Sequence, residues 1–175
     1  MGDTELKLNL GSGYRKLYGY VNIDNREEVK PDILCDVTQG LPYEDNSVDV
    51  VRAVDFLEHI PVGKVVPLIE EIYRVLKPGG TFVSVTPSTD GRGAFQDPTH
   101  VSFWNINSWL YYMDDAYRDL YGIKAKFSGN VQDGAMSDLD AQNKVIHTHA
   151  LLRAEKGEKL GNWHSNEGRQ VPGGK

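Results

Sequence analysis

Short apolar runs alternate with helix-like stretches over the first half of the chain, which is the pattern of an α/β fold. The runs that we assign to strands are LKLNL (6–10), YVNID (20–24), DILCD (32–36), VDVVRAV (48–54) and TFVSVTP (81–87). Each run is short and lies beside Gly, Pro, Asn or Asp, as strands commonly do. The pattern therefore predicts five strands before residue 90.

One stretch between these strands has the period of a helix. Apolar residues recur there at spacings of three and four, on one helical face, at Val65, Ile69, Ile72 and Leu76. The following KPGG (77–80) ends the helix, because proline cannot continue it and glycine accepts a left-handed cap. We expect this helix over 62–76 and a shorter one around 14–18.

The second half of the chain is less regular. Residues 88–104 are rich in Gly, Asp, Pro and aromatic side chains, and a connection of this length usually serves a function or is disordered. Asn107 or Ser108 is expected to cap a short helix that runs to residue 116. Alternating residues in 123–131 and 144–154 predict a pair of terminal strands.

These elements predict one fold class, a doubly wound and mostly parallel sheet of Rossmann-like type with an antiparallel strand at its C-terminal edge. We expect one domain over 1–155, followed by a polar and glycine-rich tail over 156–175 that is mobile. In such a sheet the ligand cleft lies at the carboxyl ends of the strands, where the strand order reverses.

Composition restricts the partners. The 175 residues include 39% hydrophobic and 25% charged side chains and carry a formal charge of −6, which is typical of a soluble globular protein without a basic footprint for nucleic acid. We expect no signal peptide, no membrane segment and a cytoplasmic location. The single cysteine, Cys35, is expected to be a buried structural thiol.

Two glycines and an aspartate mark the expected cleft. Gly11 and Gly13 follow the first strand and let the backbone present amide groups to a ligand, although a plain structural turn explains such a pair equally well. Asp24 ends the second strand, where a carboxylate can accept hydrogen bonds from both hydroxyls of a ribose. The dinucleotide fingerprint G-x-G-x-x-G fails, because Lys16 stands at its last glycine. The site therefore suits a nucleoside without a diphosphate.

At this point the chain resembles a known family. The stretches LNLGSG, NID, DILCDVTQGLPYEDNSVDVV, AVDFLEHI and EIYRVLKPGGTFVSVTP occur in the order and spacing of the class I S-adenosylmethionine-dependent methyltransferases. They are most similar to the small-molecule methyltransferases whose helix ends in L-K-P-G-G. The resemblance covers residues 5–90 and implies S-adenosylmethionine as the cofactor and S-adenosylhomocysteine as the product.

The resemblance also implies a set of cofactor residues. Grouped by the part of the cofactor that they contact, they are Leu10, Gly11, Ser12 and Gly13 for the methionine, Ile23, Asp24 and Asn25 for the ribose, Asp36 and Val37 for the adenine, and Ala53, Val54 and Asp55 for the methionine amino end. Two residues depart from the family pattern. Asn9 replaces an acid, and Arg15 replaces a third glycine.

The substrate side of the cofactor is expected in the 88–116 segment. No helices are expected before the first strand, so this segment is also the candidate cover of the cleft. Methyl transfer depends on alignment of the acceptor, and a hydroxyl acceptor also needs a base. We predict His100 as that base and Asp97 as its partner, although each also suits a purely structural role in the turn of DPTH.

The function that follows is transfer of a methyl group to an oxygen or nitrogen of a small molecule. Two alternatives stay open, a degenerate cofactor-binding module without turnover and a nicotinamide-dependent oxidoreductase. His147 and His149 share one strand face at a spacing that a metal can use, yet no acidic partner lies nearby in sequence, so no metal site is predicted. The expected partners are a small-molecule substrate and, given the short chain, a second copy in a homodimer.

Overall fold

The computed structural model describes residues 5–157, and its strands form one seven-stranded sheet. The strands are β1 (Lys7–Leu10), β2 (Val21–Asp24), β3 (Ile33–Leu34), β4 (Val48–Val54), β5 (Leu76–Pro87), β6 (Phe127–Gly134) and β7 (His147–Ala154). Their order across the sheet is β3-β2-β1-β4-β5-β7-β6. The order reverses between β1 and β4, which is where the cleft is expected.

The helices are fewer and shorter than the strands. They are α1 (Val62–Val75), α2 (Gly93–Gln96), α3 (Leu110–Met113), α4 (Asp115–Tyr121) and α5 (Asp138–Gln142), with short 3₁₀ turns at Glu27–Val29, Val37–Gln39, Leu57–His59 and Ile106–Trp109. Among the described residues no helix found is both long and apolar enough to cross a membrane.

The predicted fold class is confirmed. The strands β3, β2, β1, β4 and β5 are parallel, and β7 pairs antiparallel with both β5 and β6. The pairing of Leu10 with Ile23 on one side and Ala53 on the other brings the ends of three strands to one edge. That edge is therefore the carboxyl edge of the sheet.

The core explains why these segments pair. Leu8, Val51 and Phe82 are fully buried in three neighbouring strands, and the apolar stripe of α1 packs on the same cluster through residues such as Ile69 and Ile72. Burial of each large aliphatic side chain contributes about 1.5–3 kcal/mol, so the amphipathic face of α1 is held by packing more than by helix propensity. The predicted stripe is thereby confirmed.

Several local predictions were wrong. Residues 14–18 form turns rather than a helix, because Gly11 and Gly13 adopt positive φ and the side chain of Asn22 takes the backbone N–H of Leu17. The helix α1 ends at Val75, one residue early, and Leu76 is already extended. Gly79 has positive φ, but it lies inside β5 rather than at the helix end.

The segment 88–116 contributes three aromatic side chains to the core. Trp104, Trp109 and Tyr112 are buried, and the ring of Trp109 lies edge-on to Phe82 at 5.8 Å between centroids. Asn105, rather than Asn107 or Ser108, caps the first turn of the helical stretch. The segment bends at Asp114, whose carboxylate caps α4.

The predicted tail begins with an anchored residue. Lys156 donates hydrogen bonds through Nζ to the carbonyl oxygens of Arg74 and Leu76, at 2.8 and 2.6 Å. The tail beyond Gly157 lies outside the described residues.

Arg74 ties the loop before β4 to α1. Its guanidinium donates to both carboxylate oxygens of Glu71 at 2.7 Å, to Asp45 at 2.6 Å and to the carbonyl oxygen of Tyr43 at 2.9 Å. Glu71 in turn accepts the backbone N–H of Leu41 at 2.7 Å. The hydrogen bonds from Arg74 hold the pKa of the Glu71 carboxyl below its usual range.

We expect Arg74→Met to lower the free energy of unfolding by about 2 kcal/mol at neutral pH, because hydrogen bonds to a charged group are lost. The pKa of Glu71 is lower in the folded state than in the unfolded state. Its contribution to the free energy of unfolding is therefore fully present above the unfolded-state pKa and is lost as the pH falls through the folded-state pKa. The difference between the two proteins should therefore shrink below about pH 4. Urea unfolding measures it, with the exposed Arg92→Met as the control; equal losses in both variants would contradict the prediction.

Candidate functional site

A cavity of about 570 Å³ opens at the carboxyl ends of β1, β2 and β4. It is lined by Gly11, Ile23, Asp24, Asn25, Arg26, Cys35, Asp36, Val37, Thr38, Asp55, Phe56, His59, Ile60, Pro61 and Thr99. Its position at the reversal of strand order is where an open α/β sheet binds ligands. Its volume is in the range of small-molecule and cofactor sites.

The turn after β1 requires glycine for two reasons. Gly11 has φ of +60°, and a Cβ atom there would lie 2.0 Å from the ring of Phe56. Gly13 also has positive φ, at +50°. The Phe56 ring thus packs directly on the backbone of Gly11, and this close approach leaves room for no side chain.

Asp24 holds the turn in place. Its Oδ2 accepts the backbone N–H of Gly13 at 2.8 Å, and its Oδ1 accepts the backbone N–H of Arg26 at 3.0 Å. The side chain of Arg26 also lies against Oδ1, at 3.3 Å from Nε. Asp24 is buried yet lines the cavity, so its carboxylate both fixes the glycine turn and faces a ligand.

Asp36 and Val37 form a second polar edge of the cavity. The Asp36 Oδ1 accepts the Thr38 hydroxyl at 2.8 Å and the Thr38 backbone N–H at 3.0 Å. The hydrogen bond from the Thr38 hydroxyl, with that from its amide, holds the pKa of the Asp36 carboxyl below its usual range. Asp36 is thus an ionised acceptor at the start of the Val37–Gln39 turn.

Asp55 has an unusual backbone and an unsatisfied oxygen. It follows β4 with φ of +50°, a conformation that a non-glycine residue seldom adopts. Its Oδ1 is buried, has no hydrogen-bond partner among the described residues and lies 3.7 Å from Nε2 of His147. Its Oδ2 lies 3.7 Å from the guanidinium of Arg15. The side chain as a whole is 38% exposed and lines the cavity, so its carboxylate can meet a ligand cation there.

The departure at Asn9 has a structural explanation. Its side-chain amide donates to Oδ1 of Asn22 at 3.0 Å, and its own Oδ1 accepts from Arg52 at 3.0 Å. Asn9 is buried between these partners and does not line the cavity. The residue is therefore part of the support beneath the turn, and the negative charge at the cavity comes from Asp55 instead.

The structure brings together most of the predicted cofactor residues. Those that line the cavity are Gly11, Ile23, Asp24, Asn25, Asp36, Val37 and Asp55. Leu10, Ser12, Gly13, Ala53 and Val54 lie behind or beside it without lining it. Leu10 and Ala53 are fully buried core residues, so at most their backbone is available to a ligand.

Several lining residues were missed in the sequence. Arg26 and Thr38 each follow a predicted residue by one or two positions. The same reasoning from the strand ends could therefore have included them. Phe56, His59 and Thr99 lie in turns with no regular period, and only the fold brings them to the cavity. Cys35 is only half-buried and lines the cavity too, and burial raises the pKa of its thiol.

His59 and Thr99 form the wall of the cavity on the side of the 88–104 loop. The Thr99 hydroxyl lies 2.7 Å from Oδ1 of Asp97 and 3.2 Å from Nδ1 of His59. Asp97 also accepts the backbone N–H of Thr99 at 2.8 Å, and these bonds hold the pKa of its carboxyl below its usual range. Asp97 itself does not line the cavity.

His100 lies one layer behind His59. The two rings meet edge-on with centroids 5.0 Å apart, and Nδ1 of His100 lies 3.0 Å from the carbonyl oxygen of Ala94. Because a carbonyl only accepts, Nδ1 carries the hydrogen and Nε2 carries the lone pair. That Nε2 lies 3.8 Å from Oδ2 of Asp97, so the predicted pair is close but not hydrogen-bonded.

Glu58 lies beneath the two imidazoles. It is only 2% exposed, and neither carboxylate oxygen has a hydrogen-bond partner among the described residues. Burial raises the pKa of this carboxyl to about 8, which the neighbouring backbone amides of Glu58 and Phe56 offset only in part. The negative charges of Asp55 and Asp97 add to the rise.

His147 approaches the cavity from the other side. It is buried next to Asp55, and burial lowers the pKa of its imidazole. Its ring lies 6.4 Å from that of His149, as expected for two residues on one strand face. The neutral form of His147 is thus favoured beside the Asp55 carboxylate.

Comparison with known proteins agrees with this geometry. A family model described as a methyltransferase domain matches residues 19–84. The chain is also similar to 24-methylenesterol C-methyltransferase 2 of Arabidopsis thaliana, with 38% identity over 74 residues. That match covers 40% of this chain and 20% of the plant protein, so the chain spans about a fifth of its curated relative.

Solved structures share the fold. The complex between the Haloferax volcanii Trm112 methyltransferase activator and its proposed methyltransferase superposes with a TM-score of 0.66 at 16% identity, over 91% of this chain and 86% of that one. A SAM-dependent methyltransferase from Archaeoglobus fulgidus superposes with a TM-score of 0.64 at 13% identity, over 87% of each chain.

The matched residues contain β2 to β4, α1 and most of β5, and with them thirteen of the fifteen residues that line the cavity. The glycine turn, Asp24 and Asp36 lie at the cavity, where the sequence motifs placed them. Residues 19–84 therefore match a methyltransferase domain, and the chain shares the fold of solved S-adenosylmethionine-dependent methyltransferases.

Proposed function

We propose that this protein transfers the methyl group of S-adenosylmethionine to an oxygen or nitrogen atom of a small molecule. The observation that carries the proposal is the cavity at the ends of β1, β2 and β4, with a glycine turn on one side and ionised acceptors around it. S-adenosylmethionine supplies the methyl group and leaves as S-adenosylhomocysteine. A cytoplasmic enzyme with a small-molecule substrate fits this function.

The residues present fit the cofactor. Gly11 offers open backbone where a Cβ would clash, which suits the methionine part. Asp24 Oδ1 accepts both the backbone and the side-chain N–H of Arg26, whereas Oδ2 accepts only the Gly13 amide and keeps a lone pair that suits a ribose hydroxyl. The Asp55 carboxylate lines the cavity and suits the methionine ammonium.

The other cofactor contacts follow from position. Asp36 is an ionised acceptor for the adenine amino group, and Val37 stands beside it at the cavity wall. Ile23 and Asn25 flank Asp24 there. We assign the remaining members of the predicted set, namely Leu10, Ser12, Gly13, Ala53 and Val54, to support of the site through their backbone.

The acceptor is proposed to enter beside His59 and Thr99. This wall is where the cavity meets the 88–104 loop. It carries the imidazole of His59, and the imidazole of His100 lies directly behind it. His100 is the proposed base for a hydroxyl acceptor through its Nε2, and Asp97, 3.8 Å from that atom, stabilises the imidazolium that forms when the proton is taken. His59 is the imidazole in direct contact with the cavity.

We expect wild-type protein to bind S-adenosylhomocysteine and Asp24→Asn to bind it at least tenfold more weakly. Losing hydrogen bonds from a ligand to a charged group costs about 1.5–3 kcal/mol, which is a factor of 10 or more in affinity. Titration calorimetry measures the change. Asp32→Asn is the matched control, because Asp32 ends the neighbouring connection without lining the cavity. Equal affinity in Asp24→Asn and wild type would contradict the assignment.

The variant Asp55→Asn tests whether Asp55 binds the amino acid end of the cofactor rather than its nucleoside end. Asparagine tolerates the left-handed backbone and removes the negative charge. We expect this variant to bind S-adenosylhomocysteine about tenfold more weakly, because a charge-assisted hydrogen bond to the ammonium is lost. Binding of 5′-methylthioadenosine, which lacks the amino acid part, should be unchanged. A loss of both ligands would mean that Asp55 shapes the whole cavity instead.

Turnover tests the function itself. Wild-type protein, incubated with S-adenosylmethionine and a panel of phenols, carboxylic acids and amines, should release S-adenosylhomocysteine with at least one acceptor. We expect His100→Ala to lower that rate 10²-fold or more while it still binds S-adenosylhomocysteine, and His149→Ala to leave the rate unchanged. Binding of the cofactor product without release across the panel would favour a module without turnover.

A further inference from the structure

We propose that Glu58, His59 and His100 form a binding site for one divalent first-row transition metal beside the cofactor cavity. One ligand atom from each of the three side chains lies within 4.8 Å of the others. Two imidazoles and one carboxylate are a ligand set that binds Zn²⁺ and Fe²⁺ in proteins, with further positions open for substrate or water.

The buried carboxylate is the strongest sign of a missing ligand. Glu58 is almost wholly buried, and both of its oxygens lack a hydrogen-bond partner among the described residues. A buried acidic side chain is normally paired or coordinates a metal, because the charge is otherwise costly. The carboxylates of Asp55 and Asp97 act on Glu58 through charge, so the local field also favours a cation.

The imidazoles are held in the tautomer that a metal needs. His100 donates its Nδ1–H to the carbonyl oxygen of Ala94, which leaves the lone pair on Nε2. The Thr99 hydroxyl has one hydrogen, which it gives to the carboxylate of Asp97, so it accepts the Nδ1–H of His59. Both rings therefore present a free Nε2 and have their other nitrogen anchored by hydrogen bonds, as metal-bound histidines usually do.

The backbone holds the two halves of the site together. The carbonyl oxygen of Glu58 accepts the backbone N–H of Val101 at 2.8 Å and that of Ser102 at 3.0 Å. The Ser102 hydroxyl donates to the carbonyl oxygen of Leu57 at 2.7 Å. The turn after β4 and the 88–104 loop are thus clamped at the residues that carry the ligands. Donors around a tetrahedral metal lie about 3.4 Å apart, and the donors here lie within 4.8 Å of one another, so metal binding would draw them closer together.

The position of the metal site beside the cofactor cavity would allow the ion to bind the methyl acceptor. His59 lines the cofactor cavity and is exposed, which provides a route for an ion and places the ion at the proposed acceptor wall. A metal there would bind an acceptor oxygen and make its hydroxyl more acidic, the proton leaving to water. The Nε2 lone pair of His100 would then bind the ion rather than take the proton itself. This use rests on the proposed function, whereas metal binding does not.

The test is titration of metal-free full-length protein with Zn²⁺ alone, followed by calorimetry, with Mg²⁺ as the comparison ion. We expect one Zn²⁺ per chain with micromolar or tighter affinity and much weaker binding of Mg²⁺, because imidazole ligands favour Zn²⁺. His59→Ala, Glu58→Gln and His100→Ala should each weaken Zn²⁺ binding at least tenfold. His149→Ala is the matched control and should bind as wild type does.

Thermal unfolding distinguishes a variant that has lost the metal site from one that has lost its fold. Zn²⁺ should raise the thermal unfolding midpoint of wild type and leave that of His59→Ala unchanged, and His59 is exposed, so that variant keeps its core. Absence of micromolar Zn²⁺ binding in wild type, wild-type affinity in the three variants, or loss of binding in His149→Ala would each overturn the proposal. Titration with S-adenosylhomocysteine on the wild type tests the cofactor site separately, so either idea can fail alone.

Discussion

The hydrogen bond from the Gly13 amide to the Asp24 carboxylate is the interaction on which the rest of the site depends. At 2.8 Å it joins the turn after β1 to the end of β2, and the backbone N–H of Arg26 completes the pair of bonds to the same side chain. The bond fixes the turn in a conformation that only glycine adopts easily, with the ring of Phe56 packed on Gly11. One carboxylate therefore shapes the wall that it also lines.

Around this point the protein builds the cavity with short connections. Among the described residues, β1, β2, β3 and β4 are joined by turns and 3₁₀ segments rather than by helices. The parallel sheet is nevertheless aligned at its carboxyl edge, because buried side chains such as Leu10, Ile23 and Ala53 lock neighbouring strands in register. The polar groups at the strand ends then converge without further help from the loops.

The acceptor wall depends on a different device. Glu58 and His59 end one turn, and Thr99 and His100 end another, and backbone hydrogen bonds from Val101 and Ser102 clamp the two. The aromatic residues that the loop carries, such as Trp104 and Trp109, pack into the core and hold the loop down. The loop was expected to cover the cofactor, but only Thr99 of residues 88–116 lines the cavity, so its main role is to bring side chains to the wall.

The sequence by itself determined the strands, the long helix, the fold class and the cofactor edge. Period and residue type suffice there, because the carboxyl ends of neighbouring parallel strands meet at one edge of the sheet. Asp24, Asp36 and Gly11 were found in this way. The turn at 14–18 was missed, since the side chain of Asn22 competes for backbone groups that a helix would use. Only the tertiary structure decided which residues surround Glu58 and that His59 lies beside His100. It also decided that Asp55, rather than the residue at position 9, places a carboxylate at this side of the cavity. Those contacts join segments far apart in the chain, and no local pattern encodes them.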